Sequence, residues 1–157
     1  MRRLTLAAVA AVVGLCAGLF TATAASAQAP ALDNVLVFSK TAGFRHDSIP
    51  AGIAAIQQLG QQNGFNVTAT EDAAQFTDAN LANFDVVVFL STTGDVLDDA
   101  QQAAFERYIK AGGGFVGIHA AADTEYGWDF YGQMIGAYFR NHPAGTADGV
   151  GGRHRPG

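Results

Sequence analysis

Read for apolar and polar positions, the chain alternates short β-branched runs with longer segments of helical period. Val35 to Ser39 is apolar and ends in the polar stretch Lys40 to Asp47, the pattern of a buried strand followed by a loop. Ile49, Ile53 and Ile56 then recur on one face, with Ser48 placed to cap, Pro50 suited to the first turn, and Asn63-Gly64 as the stop. Phe65 to Thr70 predicts a second strand. A helical turn around Leu81, opened by Thr77-Asp78, precedes Asp85 to Leu90, the strongest strand signal in the chain. Asp98 and Gln101 form a capping box for a helix carrying Ala104, Phe105, Tyr108 and Ile109, which Gly112-Gly-Gly114 ends. Phe115 to Ile118 predicts a fourth strand that delivers His119 into the small-residue stretch Ala120 to Thr124. Trp128, Tyr131, Ile135 and Tyr138 predict a last amphipathic helix. Strands alternating with helices imply right-handed crossovers and a mainly parallel, doubly wound α/β sheet of flavodoxin-like order 2-1-3-4.

The two ends of the chain have a different character. Arg2 and Arg3 precede an apolar run from Leu4 to Phe20 and then the A-x-A site Ala25-Ser26-Ala27, the pattern of a secretory signal peptide over residues 1–27. The apolar run is near the length of a membrane span; the cleavage site favours removal, with Gln28 as the mature N-terminus and no stable membrane anchor afterwards. Leu15 before Cys16 argues against a lipoprotein, and the one cysteine leaves with the leader. The expected address is therefore outside the cell, or the periplasm where there is an outer membrane. The expected mature protein is one domain, residues 28–143, that stabilises itself by burial without disulfides. From Ala144 to Gly157 almost nothing apolar remains, which predicts a disordered tail. A doubly wound domain ordinarily adds further strands at that point, so the domain is expected to be incomplete at its C-terminal side.

The formal charge is −5 for the whole chain and −7 once Arg2 and Arg3 are lost, with the remaining basic residues scattered. That excludes a basic nucleic-acid-binding face. The expected partner is a carbohydrate or another small polar molecule.

In an open parallel sheet, ligands bind beyond the carboxyl ends of the strands where strand order reverses. The loops there hold Lys40 to Asp47, Ser91 to Asp95 and His119 to Thr124. Gly117-Ile-His119-Ala-Ala121 has the strand-to-turn setting of a nucleophile elbow, with imidazole in place of a hydroxyl or thiol. His119 in that position suits acid–base work or metal ligation; the plainer reading is a structural histidine at a strand end. His46 follows Gly43-Phe44-Arg45 just before a helix N-terminus, where free N–H groups favour an anion or polar substrate group. Gly43 would allow close approach and Arg45 would bind an anion, or His46 is simply a loop residue. Ser91 lies at the third strand's end, and His142 beyond the last helix could fold back to the same edge. His154 lies in the tail and is set aside. The histidines and Asp123 have donors that suit zinc, but no H-x-x-x-H or H-E-x-x-H pattern occurs, so neither metal nor other cofactor is expected. Asn66-Val-Thr68 matches a glycosylation sequon but falls on a predicted strand. Of the aromatics Tyr126, Trp128 and Tyr131, core packing claims at least two, leaving Trp128 as the candidate platform for a sugar ring.

Four segments together resemble the trehalose-utilisation, ThuA-like family: Val35 to Ile49, Gly112 to His119, Ala122-Asp-Thr124, and Phe139-Arg-Asn-His-Pro143. The resemblance spans about residues 34–143. It implies a class I glutamine amidotransferase-like sheet without the amidotransferase cysteine, and an association with carbohydrate metabolism, especially of disaccharides. It also implies that His46, His119, Asp123 and His142 form the polar cluster at the strand ends, while the family continues into further strands after the position of Pro143. The leading expectation is a secreted carbohydrate-processing domain with His119 as general acid or base, His46 and Arg45 orienting substrate, and Asp123 as their partner. The alternatives are a non-catalytic sugar-binding or interaction module, and an inactive fragment.

Overall fold

A computed structural model describes residues 32–142; the expected leader, the expected tail and His154 lie outside them. Four strands, β1 (Asn34–Phe38), β2 (Asn66–Thr70), β3 (Val86–Leu90) and β4 (Gly114–Ile118), form a parallel sheet in the order β2-β1-β3-β4. The α-helices among the described residues are α1 (Ile49–Asn63), α2 (Asp78–Leu81), α3 (Asp99–Lys110) and α4 (Asp129–Ile135). The order is the expected one.

Because successive side chains of a strand point to opposite faces, β1 and β3 divide their apolar residues between two layers. Val35, Val37, Val88 and Leu90 pack beneath Ile53 and Ile56 of α1. Leu36, Phe38, Val87 and Phe89 face the other layer, with Leu81 of α2, Ala104 and Phe105 of α3, and Tyr131 of α4. Both faces of the two central strands are therefore covered, which is why their sequences are almost continuously apolar.

Helix ends follow the sequence with two exceptions. Gly64 stops α1 in the left-handed region at φ 80°, and its N–H donates to Gly60 O. The Asp98–Gln101 capping box is formed in both directions at the start of α3. Ser48, in contrast, precedes α1 with helical dihedrals and makes no side-chain cap, since the extended backbone that turns an N-cap hydroxyl toward the first turn is missing. The last helix is also shorter than its aromatic spacing predicts. Gly136, at φ 78°, ends it, leaving Trp128 just before its first turn and Tyr138 beyond its last.

Phe89 is the hub of the larger layer, with ring centroids of Phe38, Phe115, Phe105, Tyr131 and Phe76 at 5.3, 5.4, 5.5, 5.7 and 5.9 Å. Removing it would leave a cavity under five rings at once. Phe89→Ala is expected to cost about 3–5 kcal/mol, read as a lower denaturation midpoint in urea; a loss below about 1 kcal/mol would contradict this packing.

Candidate functional site

The loops at the carboxyl ends of β1, β3 and β4 are laced together by backbone. Thr93 O accepts from Ala42 N at 2.7 Å and Gly43 N at 3.2 Å, while Thr93 Oγ1 donates to Phe44 O at 2.9 Å. On the other side, Gly94 N donates to Asp123 O at 2.8 Å and Gly94 O accepts from Glu125 N at 3.1 Å. Gly94 sits at φ 73°, and a Cβ there would stand 3.1 Å from Gly43 N, so this close approach of three loops requires glycine.

This lacing brings His46 and His119 edge-to-face, ring centroids 4.5 Å apart at 80°. His119 has φ 54° and opens a 3₁₀ turn, His119–Asp123, where a small-residue loop was expected. A left-handed conformation at a strand end, rare for a residue with a Cβ, presents the imidazole above the sheet as the elbow pattern requires. His46 is half-buried, and its Nδ1 is buried without a hydrogen-bond partner among the described residues. Such an orphaned polar atom carries a free-energy cost that folding alone does not explain.

The two rings open on a cleft of about 610 Å³ that is also lined by Phe44, Ala120, Ala122, Asp123, Ala137, Tyr138, Phe139 and His142. Its far wall is the segment after α4. Phe139 N donates to Ala122 O at 2.8 Å, and the Tyr126 hydroxyl lies 2.6 Å from Asp123 Oδ1 and 2.8 Å from Phe139 O. Packing and, after it, the Asp123 carboxylate push the Tyr126 hydroxyl up to about 12. His142 reaches the cleft beside Phe139, ring centroids 5.8 Å apart.

Four of the residues expected at the site thus line one cleft: His46, His119, Asp123 and His142. The others do not. Ser91 is buried at the end of β3, its N–H donating to Ile118 O, so it supports the strand ends from beneath. Arg45 is exposed and paired with Glu71 at 2.7 Å. Gly43 gives its N–H to Thr93 rather than to a ligand. Trp128 packs on Tyr131 and Phe105, at 5.9 and 6.2 Å, as part of the core layer. At the start of α1, Ile49 N donates to His46 O and Pro50 has no N–H, so neither offers a free donor there. No group of three metal-ligating side chains converges among the described residues.

Glu125 was not singled out in the sequence. Its side chain is buried, with Oε1 accepting from Val96 N and Leu97 N at 2.8 Å each and Oε2 accepting from Gln102 Nε2 at 2.7 Å. Burial pushes its carboxyl above the ordinary 4.5, against the three donors that favour its charged form. It clamps the start of α3 to the segment that carries His119 and Asp123.

The sequence model of the family described as ThuA, trehalose utilisation, matches residues 34–155. A crystal structure of a ThuA-like protein from Bacteroides uniformis superposes with a TM-score of 0.54 at 24% identity, covering 74% of this chain and 50% of that one. At that identity the likeness carries the fold, and this chain spans half the length of that protein. No curated protein matches the chain.

The raised carboxyl of Glu125 gives a pH dependence of known sign. The folded state holds the proton more tightly than the unfolded chain, so rising pH above about 4.5 removes stability until the folded carboxyl has ionised. Urea unfolding from pH 4 to 7 is expected to show wild type losing stability relative to Glu125→Gln; a difference that stays flat, or that grows in favour of wild type, would contradict the assignment.

Proposed function

Because the chain belongs to the trehalose-utilisation family ThuA, we propose that it is exported and processes a carbohydrate of the disaccharide class, using His119 and His46 as an acid–base pair. The observation that carries this reading is the 4.5 Å contact of the two imidazoles on a cleft shared with Asp123 and His142. Imidazole is the side chain whose ordinary titration lies nearest neutral pH, so one ring can accept a hydroxyl proton while its neighbour donates one. His119, exposed at the turn, is the group that meets substrate. His46, packed between Phe44 at 4.9 Å and His119, orients it. Asp123, held by the Tyr126 hydroxyl at 2.6 Å, lines the same cleft as their polar partner. Arg45 has no part in this scheme, because Glu71 holds it.

Export rests on the arginine-flanked apolar run and A-x-A site at residues 1–27. Among the described residues no helix is long and apolar enough to cross a membrane. The secreted product of the full gene should begin at Gln28, which intact mass decides; a membrane-retained product keeping Met1 would refute the export reading.

For catalysis, trehalose turnover by wild type and His119→Gln is the direct comparison. Loss of a general acid or base is expected to lower kcat by about 10²–10⁴-fold with KM little changed. Equal kcat in the two would end the acid–base assignment, and disaccharide binding without turnover in wild type would make the domain a sugar-binding module instead.

A further inference from the structure

We infer that the cleft binds a neutral, unphosphorylated pyranose whose C–H faces lie on the rings of Phe44 and Phe139. This rests on the carbohydrate reading and narrows it to a class of sugar. Phe44 is 71% exposed and Phe139 39%, yet both belong to the lining of the same cleft, one on each side of the histidine pair along the chain. Single exposed apolar side chains are ordinary on a protein surface. Two phenyl rings on one cleft, next to four polar side chains, are instead the composition of a ligand site: apolar walls with a few polar groups that fix orientation. The negative face of a phenyl ring attracts positively polarised hydrogen, which the axial C–H groups of a pyranose present. The sugar's hydroxyls would then be left to His46, His119, Asp123 and His142.

Charge decides against a phosphorylated or acidic sugar. Among the described residues no lysine or arginine lines the cleft. Of the basic residues nearest in sequence, Arg45 is committed to Glu71, Lys40 donates its Nζ to Val96 O at 2.9 Å, and Arg140, next to Phe139, is exposed and outside the lining. The start of α1, the other element suited to an anion, has its first donor bonded to His46 O and a proline next to it. Asp123 adds a carboxylate that would repel a phosphate. Trp128, the sequence's candidate for the stacking role, is packed into the core layer and does not reach the cleft.

The test is saturation-transfer NMR and calorimetry on the mature protein with trehalose and trehalose 6-phosphate as probes, in wild type, Phe44→Ala, Phe139→Ala and the conservative Phe44→Trp. Saturation of the ring C–H protons of trehalose is expected. Binding should weaken about tenfold in each alanine variant, the worth of one good ring contact, and be kept in Phe44→Trp. The 6-phosphate should bind at least about tenfold more weakly than trehalose. Undiminished binding by both alanine variants would overturn the inference, as would 6-phosphate binding as tightly as trehalose, or neither probe binding wild type. Turnover separates it from the reading it rests on. If His119→Gln abolishes turnover while the phenylalanine variants bind normally, the acid–base pair stands and the aromatic contacts fall. If binding depends on the phenylalanines and wild type turns nothing over, the reverse holds.

Discussion

The backbone of Thr93 and Gly94 is the joint on which the cleft depends. These two residues hold the loop after β1 on one side and the segment after β4 on the other, through six hydrogen bonds of 2.7 to 3.2 Å made by their backbone groups or the Thr93 hydroxyl. The parallel order β2-β1-β3-β4 makes this possible, because it sets β3 between the strands that deliver His46 and His119. Neither histidine bonds the other through its own loop. They meet because a third loop holds both.

Conformational strain collects around that joint. The three non-glycine residues with positive φ among the described residues are Ser91, His119 and Glu125, at 51°, 54° and 55°. Each costs on the order of 1–3 kcal/mol, and such residues persist only where their surroundings over-determine them. Here the surroundings do so. Ser91 donates its N–H to Ile118 O, Glu125 donates its own to Gly94 O, and its carboxylate takes three further donors. The buried pair Thr92 Oγ1 and Thr124 Oγ1, 2.8 Å apart, closes the same region from below. His119 thus stands on a rigid turn, which suits a group that must hold its place against a substrate.

The strands and the topology were legible in the sequence because burial on both faces leaves runs such as Val86 to Leu90 with no polar position, a signal that needs no knowledge of partners. The convergence of His46 and His119 followed from topology alone, since both lie just past strands that the order 2-1-3-4 places close together. What failed depended on where a side chain points. Trp128, Tyr131 and Tyr138 have helical spacing, but Gly136 stops the helix before Tyr138, and Trp128 turns to the core. Phe44, beside His46, gave no sign that it would stay in solvent. Glu125 reads as an ordinary surface carboxylate, because nothing in the sequence shows that the amides of Val96 and Leu97 come within reach of it. Arg45 was misplaced for the same reason: Glu71, its partner, lies 26 residues away.

The proposed chemistry of the cleft requires the two imidazoles to share one place at the sheet edge. A NOESY spectrum of the protein, with His46 and His119 assigned through His46→Gln and His119→Gln, measures this in solution. Ring centroids 4.5 Å apart predict cross-peaks between the carbon-bound ring protons of the two residues, each lost when either histidine is replaced. Well-resolved ring signals from both histidines with no cross-peak between them would contradict the site.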